Sequence, residues 1–161
     1  MKNSVLELGN LIQGFKLCCQ TEGKSPKTIE WYTTFLYRFL AFLEFSSYPT
    51  DAAQINKEII RAFILYLQVE AKTPRSKKPL SSATVQGYVR TLRVFFLWAV
   101  KEEYLSDSPT AKITVPKATH KVINTFTYEQ IGKLAQACYK SNSNSYRNLT
   151  ILLLLLDTAS R

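Results

Sequence analysis

Ten basic side chains lie between Lys72 and Lys121: Lys72, Arg75, Lys77, Lys78, Arg90, Arg93, Lys101, Lys112, Lys117 and Lys121. Only Glu102, Glu103 and Asp107 oppose them, so this third of the chain carries +7 of a net +9. No acid stands between Glu70 and Glu102. Charge of one sign at this density suits a surface that contacts phosphates; a solvated basic face without a partner is the plain alternative. Gln86, Arg90 and Arg93 recur at i, i+4 and i+7, which gathers them on one helix face, with Ser82 one turn earlier. Arg90 and Arg93 are candidate groove or phosphate contacts. Thr84 and Gln86 are candidates for base edges, or else plain exposed helix surface. Lys27 and Thr28 open an earlier helix, whose N-terminus is a ready phosphate site. Lys77 and Lys78 sit in a polar loop as non-specific phosphate contacts, and Lys112, Lys117 and Lys121 line a segment that can track a backbone.

Helices must position these groups. Leu8, Leu11, Ile12, Phe15 and Cys19 give a first stripe over about Val5–Thr21, stopped at Glu22-Gly23-Lys24. Ser25 and Pro26 then start a second helix, with Ile29, Tyr32, Leu36, Phe39, Leu40 and Leu43 inward to about Phe45. A third is expected over about Asn56–Ala71, and a fourth from Ser81 or Ser82 to about Glu103, burying Val85, Val89, Leu92, Phe96 and Ala99. Ser106-Asp107-Ser108-Pro109 terminates it, and Thr110–Asn124 reads as an extended linker. Thr127-Tyr128-Glu129-Gln130 is a capping box opening a short helix to about Tyr139, and a last helix covers Tyr146–Asp157. The fold class is therefore all-α, with units at 1–108 and 125–161 joined by residues 109–124.

Composition narrows the function classes. An apolar share of 46%, with nine Phe and nine Tyr, is ample for a packed core. The longest apolar run, Ile151–Leu156, is far short of the roughly 20 residues of a spanning helix and reads as a buried core helix. The first residues carry no secretory pattern. Three cysteines, two of them adjacent, and a lone His120 lack metal-ligand spacing, so reduced cytosolic thiols and no metal or other cofactor are expected. A strongly apolar final helix in a unit of some 40 residues wants more packing partners than that unit supplies.

The order of these motifs resembles the tyrosine recombinase, or phage integrase, family. Ser25–Glu44 is similar to the second helix of its SAM-like core-binding domain, and Leu80–Ala99 to the fourth. Glu102–Pro109 resembles that domain's exit into the linker, with Ser108 where Asn is common. Phe126–Ile131 resembles the opening of the catalytic domain, and Arg147–Arg161 the segment that ends on its first catalytic arginine. The resemblance implies a four-helix clamp on double-stranded DNA, followed by the first two helices of a catalytic domain. It further implies a parent enzyme that cuts DNA without metal, through a 3′-phosphotyrosine, as a tetramer on DNA in the cytoplasm of a bacterial, phage or mobile-element host. Arg161 alone maps onto a catalytic position, and Ala159 replaces the usual Gly of the turn before it. The other catalytic residues have no counterpart among these 161, none of the nine tyrosines is the nucleophile, and the chain by itself is expected to be monomeric and inactive. A stand-alone DNA-binding regulator, or a helical module for an acidic protein, would share the same charge map.

Overall fold

A computed structural model describes residues 6–73, 77–117, 125–140 and 144–158. Among the described residues there are six α-helices, and the only β pairing is two isolated bridges, Glu7 with Asp51 and Lys72 with Pro79. The chain divides into two units, Met1–Thr119 and His120–Arg161.

In the first unit, α1 (Leu8–Thr21) buries Leu8, Leu11, Ile12, Phe15 and Cys19, the five positions of its stripe. Its start is tied to a later loop at Thr50, since Leu8 N donates to Thr50 O at 2.9 Å and Thr50 Oγ1 to Glu7 Oε2 at 2.9 Å. The helix ends where Gly23 takes φ +72°, a left-handed turn that glycine adopts without a Cβ penalty. Burial pushes the Cys19 thiol up, so this cysteine behaves as a small packing group.

Helix α2 (Pro26–Phe45) buries Ile29, Leu36, Phe39, Phe42 and Leu43. A single 3-10 turn at Ala52–Gln54 leads to α3 (Lys57–Val69), where Asn56 Oδ1 accepts from Ile59 N at 3.0 Å as the cap. Helix α4 (Ser82–Lys101) is the most deeply embedded, with Val85, Val89, Leu92, Phe95, Phe96 and Ala99 among its buried residues. The core is largely aromatic. Phe39 packs on Phe63 with ring centroids 4.9 Å apart, and Phe15 meets Phe95 edge-on at 5.5 Å. A fully buried side chain of this size contributes about 1.5–3 kcal/mol, and Phe39, Phe63, Phe95 and Phe96 all qualify.

Helices α2 and α4 pack tightly at Gly87. A Cβ there would lie 3.0 Å from Trp31 Cζ2 and 3.1 Å from Phe35 Cε2. Phe35 in turn stacks on Tyr88 with centroids 3.7 Å apart. The missing side chain is what lets the two helices touch.

After α4 the chain does not leave the unit at once. Thr110 and Ile113 are 1% and 4% exposed, and Val115 packs against the core. Residues 109–117, expected as the first half of a linker, thus lie docked on the first unit. The cause is an alternation that a short segment hides: Ile113 and Val115 turn inward while Lys112, Thr114 and Lys117 stay exposed.

The second unit is a helix pair, α5 (Tyr128–Lys140) and α6 (Ser145–Thr158). The capping box forms in full: Gln130 N donates to Thr127 Oγ1 at 3.2 Å and Thr127 N to Gln130 Oε1 at 2.9 Å. Contrary to the buried-core reading of its apolar run, no described residue of α6 is buried, and Leu154 is 59% exposed. Two helices share one contact plane, whereas Leu153–Leu156 spread around the whole circumference of α6. No helix among the described residues is long and apolar enough to cross a membrane.

Candidate nucleic-acid interface

Two helix starts of the first unit are built alike. Ser25 Oγ accepts from Thr28 N at 3.1 Å and lies 2.8 Å from Thr28 Oγ1; Ser81 Oγ accepts from Thr84 N at 3.2 Å and lies 2.8 Å from Thr84 Oγ1. Each Ser-x-x-Thr closes one orphan donor of its helix and leaves the positive end of the helix dipole facing out. Thr28 and Thr84, read as contacts, therefore already have their hydroxyls engaged at the caps. Ser82 opens α4 on the same turn as Thr84. Lys27 is exposed and paired with Glu30 at 2.7 Å.

The loop before α4 is organised by Thr73. Thr73 N donates to Lys78 O at 2.8 Å, Lys77 N to Thr73 O at 3.0 Å and Lys78 N to Thr73 Oγ1 at 3.2 Å. Lys77 takes a left-handed φ of 54° to close this turn. Both Lys77 and Lys78 present exposed side chains. The loop is moored from α2: Arg38 Nη2 donates to Lys72 O at 3.0 Å and Nη1 to Tyr88 OH at 3.3 Å, with the guanidinium 5.7 Å over the Tyr88 ring. Sequence reading missed Arg38. The available signal was an arginine in an apolar helix pattern with no acid a turn away on either side.

On α4, Arg90 stands in the exposed sector of the helix, flanked by Leu97 one side and Ala83 the other. Gln86 and Arg93 lie on the edge of that sector and turn towards the docked segment. Gln86 Nε2 donates to Pro116 O at 3.1 Å, and Arg93 Nη2 to Ile113 O at 2.6 Å. The three residues expected to act together are therefore divided: Arg90 faces solvent, while Gln86 and Arg93 each spend a donor on the chain's own backbone. Lys117, next to Pro116, is exposed. Arg161 lies outside the described residues, as do Arg75, His120 and Lys121.

Lys24, Lys27, Lys57 and Lys133 all pair with glutamates, and hydrogen bonding from Lys24 holds the Glu22 carboxyl below its ordinary range. Among the described residues, no base between Lys72 and Lys117 forms a salt bridge. Cations left unneutralised over so long a stretch favour an anionic partner.

Comparison with known proteins decides the lineage. Residues 10–115 match the phage integrase SAM-like domain, from within α1 to the docked segment. The chain belongs to that family. The SAM-like match ends at residue 115, so it takes in the buried Ile113 as part of the domain. Curated relatives agree. A tyrosine recombinase XerD of Listeria innocua is 26% identical over 140 residues, covering 87% of this chain and 44% of that protein. The tyrosine recombinase XerD of Staphylococcus epidermidis is 30% identical over 140 residues with the same coverage. The tyrosine recombinase and integrase relationship implied by the sequence motifs holds, and the chain spans less than half the length of these relatives. No solved structure matches the SAM-like chain.

Proposed function

We propose that the SAM-like unit binds duplex DNA as the non-catalytic clamp of a tyrosine recombinase. One observation carries the reading: the described bases from Lys72 to Lys117 (Lys72, Lys77, Lys78, Arg90, Arg93, Lys101, Lys112 and Lys117) are exposed or half-exposed and none forms a salt bridge, whereas Lys24, Lys27 and Lys57 of the same unit do. Exposed lysines and arginines fix a protein on the phosphate backbone, and the two outward helix starts add partial positive charge. Arg90 is the proposed central contact, with Lys77 and Lys78 beside the α4 start and Lys27 at the α2 start.

The chemistry of the parent follows from the family. A tyrosine attacks a phosphodiester, the phosphoryl group passes to the phenolic oxygen as a 3′-phosphotyrosine, and the 5′-hydroxyl leaves. Fixed cationic donors stabilise the charge on the equatorial oxygens. Arg161 is proposed as one of these by its place in the motif, and the SAM-like unit contributes binding and orientation instead of bond breaking. Integration and site-specific recombination are the processes this activity serves.

Titration of labelled duplex with the full chain tests the reading. With six or more phosphate contacts, affinity should fall about 1,000-fold or more between roughly 50 and 200 mM salt. Arg90→Ala/Lys78→Ala should lower the slope of log affinity against log salt by about 2. Binding indifferent to salt, or no binding at low salt, would refute it.

A further inference from the structure

We propose that Gln86 and Arg93 are positioning residues: a two-point latch that holds residues 113–117 along the flank of α4, so that Lys112 and Lys117, at the two ends of the latched stretch, are held as fixed cations for a phosphate backbone. The DNA part of this statement rests on the function proposed above; the latch does not.

The observations converge on the segment from both sides. Its apolar residues are seated, with Ile113 4% exposed and Val115 partly buried. Its backbone is caught at two carbonyls three residues apart, Ile113 O by Arg93 and Pro116 O by Gln86. Gln86 and Arg93 are themselves two turns apart on one edge of α4, so the latch runs parallel to the helix and fixes both the line and the register of the segment. A carbonyl accepting from a guanidinium is a charge-assisted bond, stronger than a neutral one. Once Ile113 and Pro116 are pinned, the exposed side chains between and beyond them have defined stations. Lys112 precedes the first pin by one residue and Lys117 follows the second by one. Arg93 keeps further N–H donors and its charge, but a half-buried guanidinium aimed at a backbone carbonyl serves the segment first.

The latch separates two roles that a simple loss of binding would confuse. Gln86 carries no charge. Were it a base-reading side chain, Gln86→Met would weaken binding to a preferred sequence and leave the salt slope alone, because the slope counts neutralised phosphates. As a latch it changes the slope, since releasing the segment frees Lys112 and Lys117 from their stations.

The experiment uses the full chain in two arms. In the first, without DNA, trypsin cleavage after Lys112 is followed by mass spectrometry. The wild type should be protected there, and Gln86→Met/Arg93→Met should be cut about tenfold faster, because the protease needs the segment lifted from the domain. In the second, salt slopes on duplex DNA are compared for the wild type, Lys117→Ala, Gln86→Met and the Gln86→Met/Lys117→Ala double variant. Lys117→Ala and Gln86→Met should each lower the slope by about 1, and the double variant should show little further loss. Equal cleavage of wild type and latch variant would overturn the latch. A slope unchanged by Gln86→Met, or additive losses in the double variant, would return Gln86 to direct contact. If no variant binds duplex, the fixed cations and the DNA reading fall together, while the protease arm still decides whether the latch exists.

Discussion

The two units of this chain use apolar residues in opposite ways. The first buries an aromatic core beneath four helices, with Phe39, Phe63, Phe95 and Phe96 sealed from solvent. The second owns the most apolar run in the chain, Ile151–Leu156, and buries none of α6's described residues. Apolar content does not make a core; a second layer does. Four helices let each stripe face another, and the embedded α4 meets neighbours on most of its circumference. Two helices offer a single plane, and a helix apolar all round has nowhere to put the rest.

Substitutions can break this contrast or sharpen it. Phe63→Ala should have the largest effect, costing about 3–5 kcal/mol in the first unit because its neighbours Phe39 and Phe42 are ring-packed and cannot collapse into the space. Thermal unfolding followed by near-UV circular dichroism checks it, and a loss below about 1 kcal/mol would mean the aromatic core is loosely filled. Ser81→Ala comes next. Loss of the cap on α4 should cost about 1 kcal/mol, read as a shift in denaturant midpoint at constant slope. Leu154→Gln should be nearly silent, within about 0.5 kcal/mol, since Leu154 is 59% exposed. A large loss on that change would show that α6 has a partner in solution and would close the gap between the two units.

Much of the fold was legible because the relevant signals are local. The stripe Val85, Val89, Leu92, Phe96 and Ala99 repeats at helical period and is buried throughout. Gly23, Ser25 and the Thr127–Gln130 box act within four residues of themselves, and each performs its expected capping role. The basic face was legible as composition, since charge density needs no tertiary knowledge. Its internal division was not. Arg93 reaches Ile113 across 20 residues and Gln86 reaches Pro116 across 30, and no spacing rule along α4 announces a carbonyl that distant. The docked segment was missed for a related reason: two inward residues, Ile113 and Val115, are too few to register as a strand pattern. The exposure of α6 was misread because an apolar run states what a helix would like to bury, not whether a surface exists to bury it.

The contact at Gly87 has a mechanical consequence. Gly87 is the sixth residue of α4 and Trp31 the sixth of α2, so the contact lies about 9 Å along each axis from the capped starts at Ser25 and Ser81. Any side chain at 87 would be a wedge driven in close to both tips. It would widen their lateral spacing before it disturbed the distant ends of the helices. On the function proposed above, a ligand with evenly repeated charges would read that spacing as a ruler, its pitch set by one hydrogen atom in place of a methyl group.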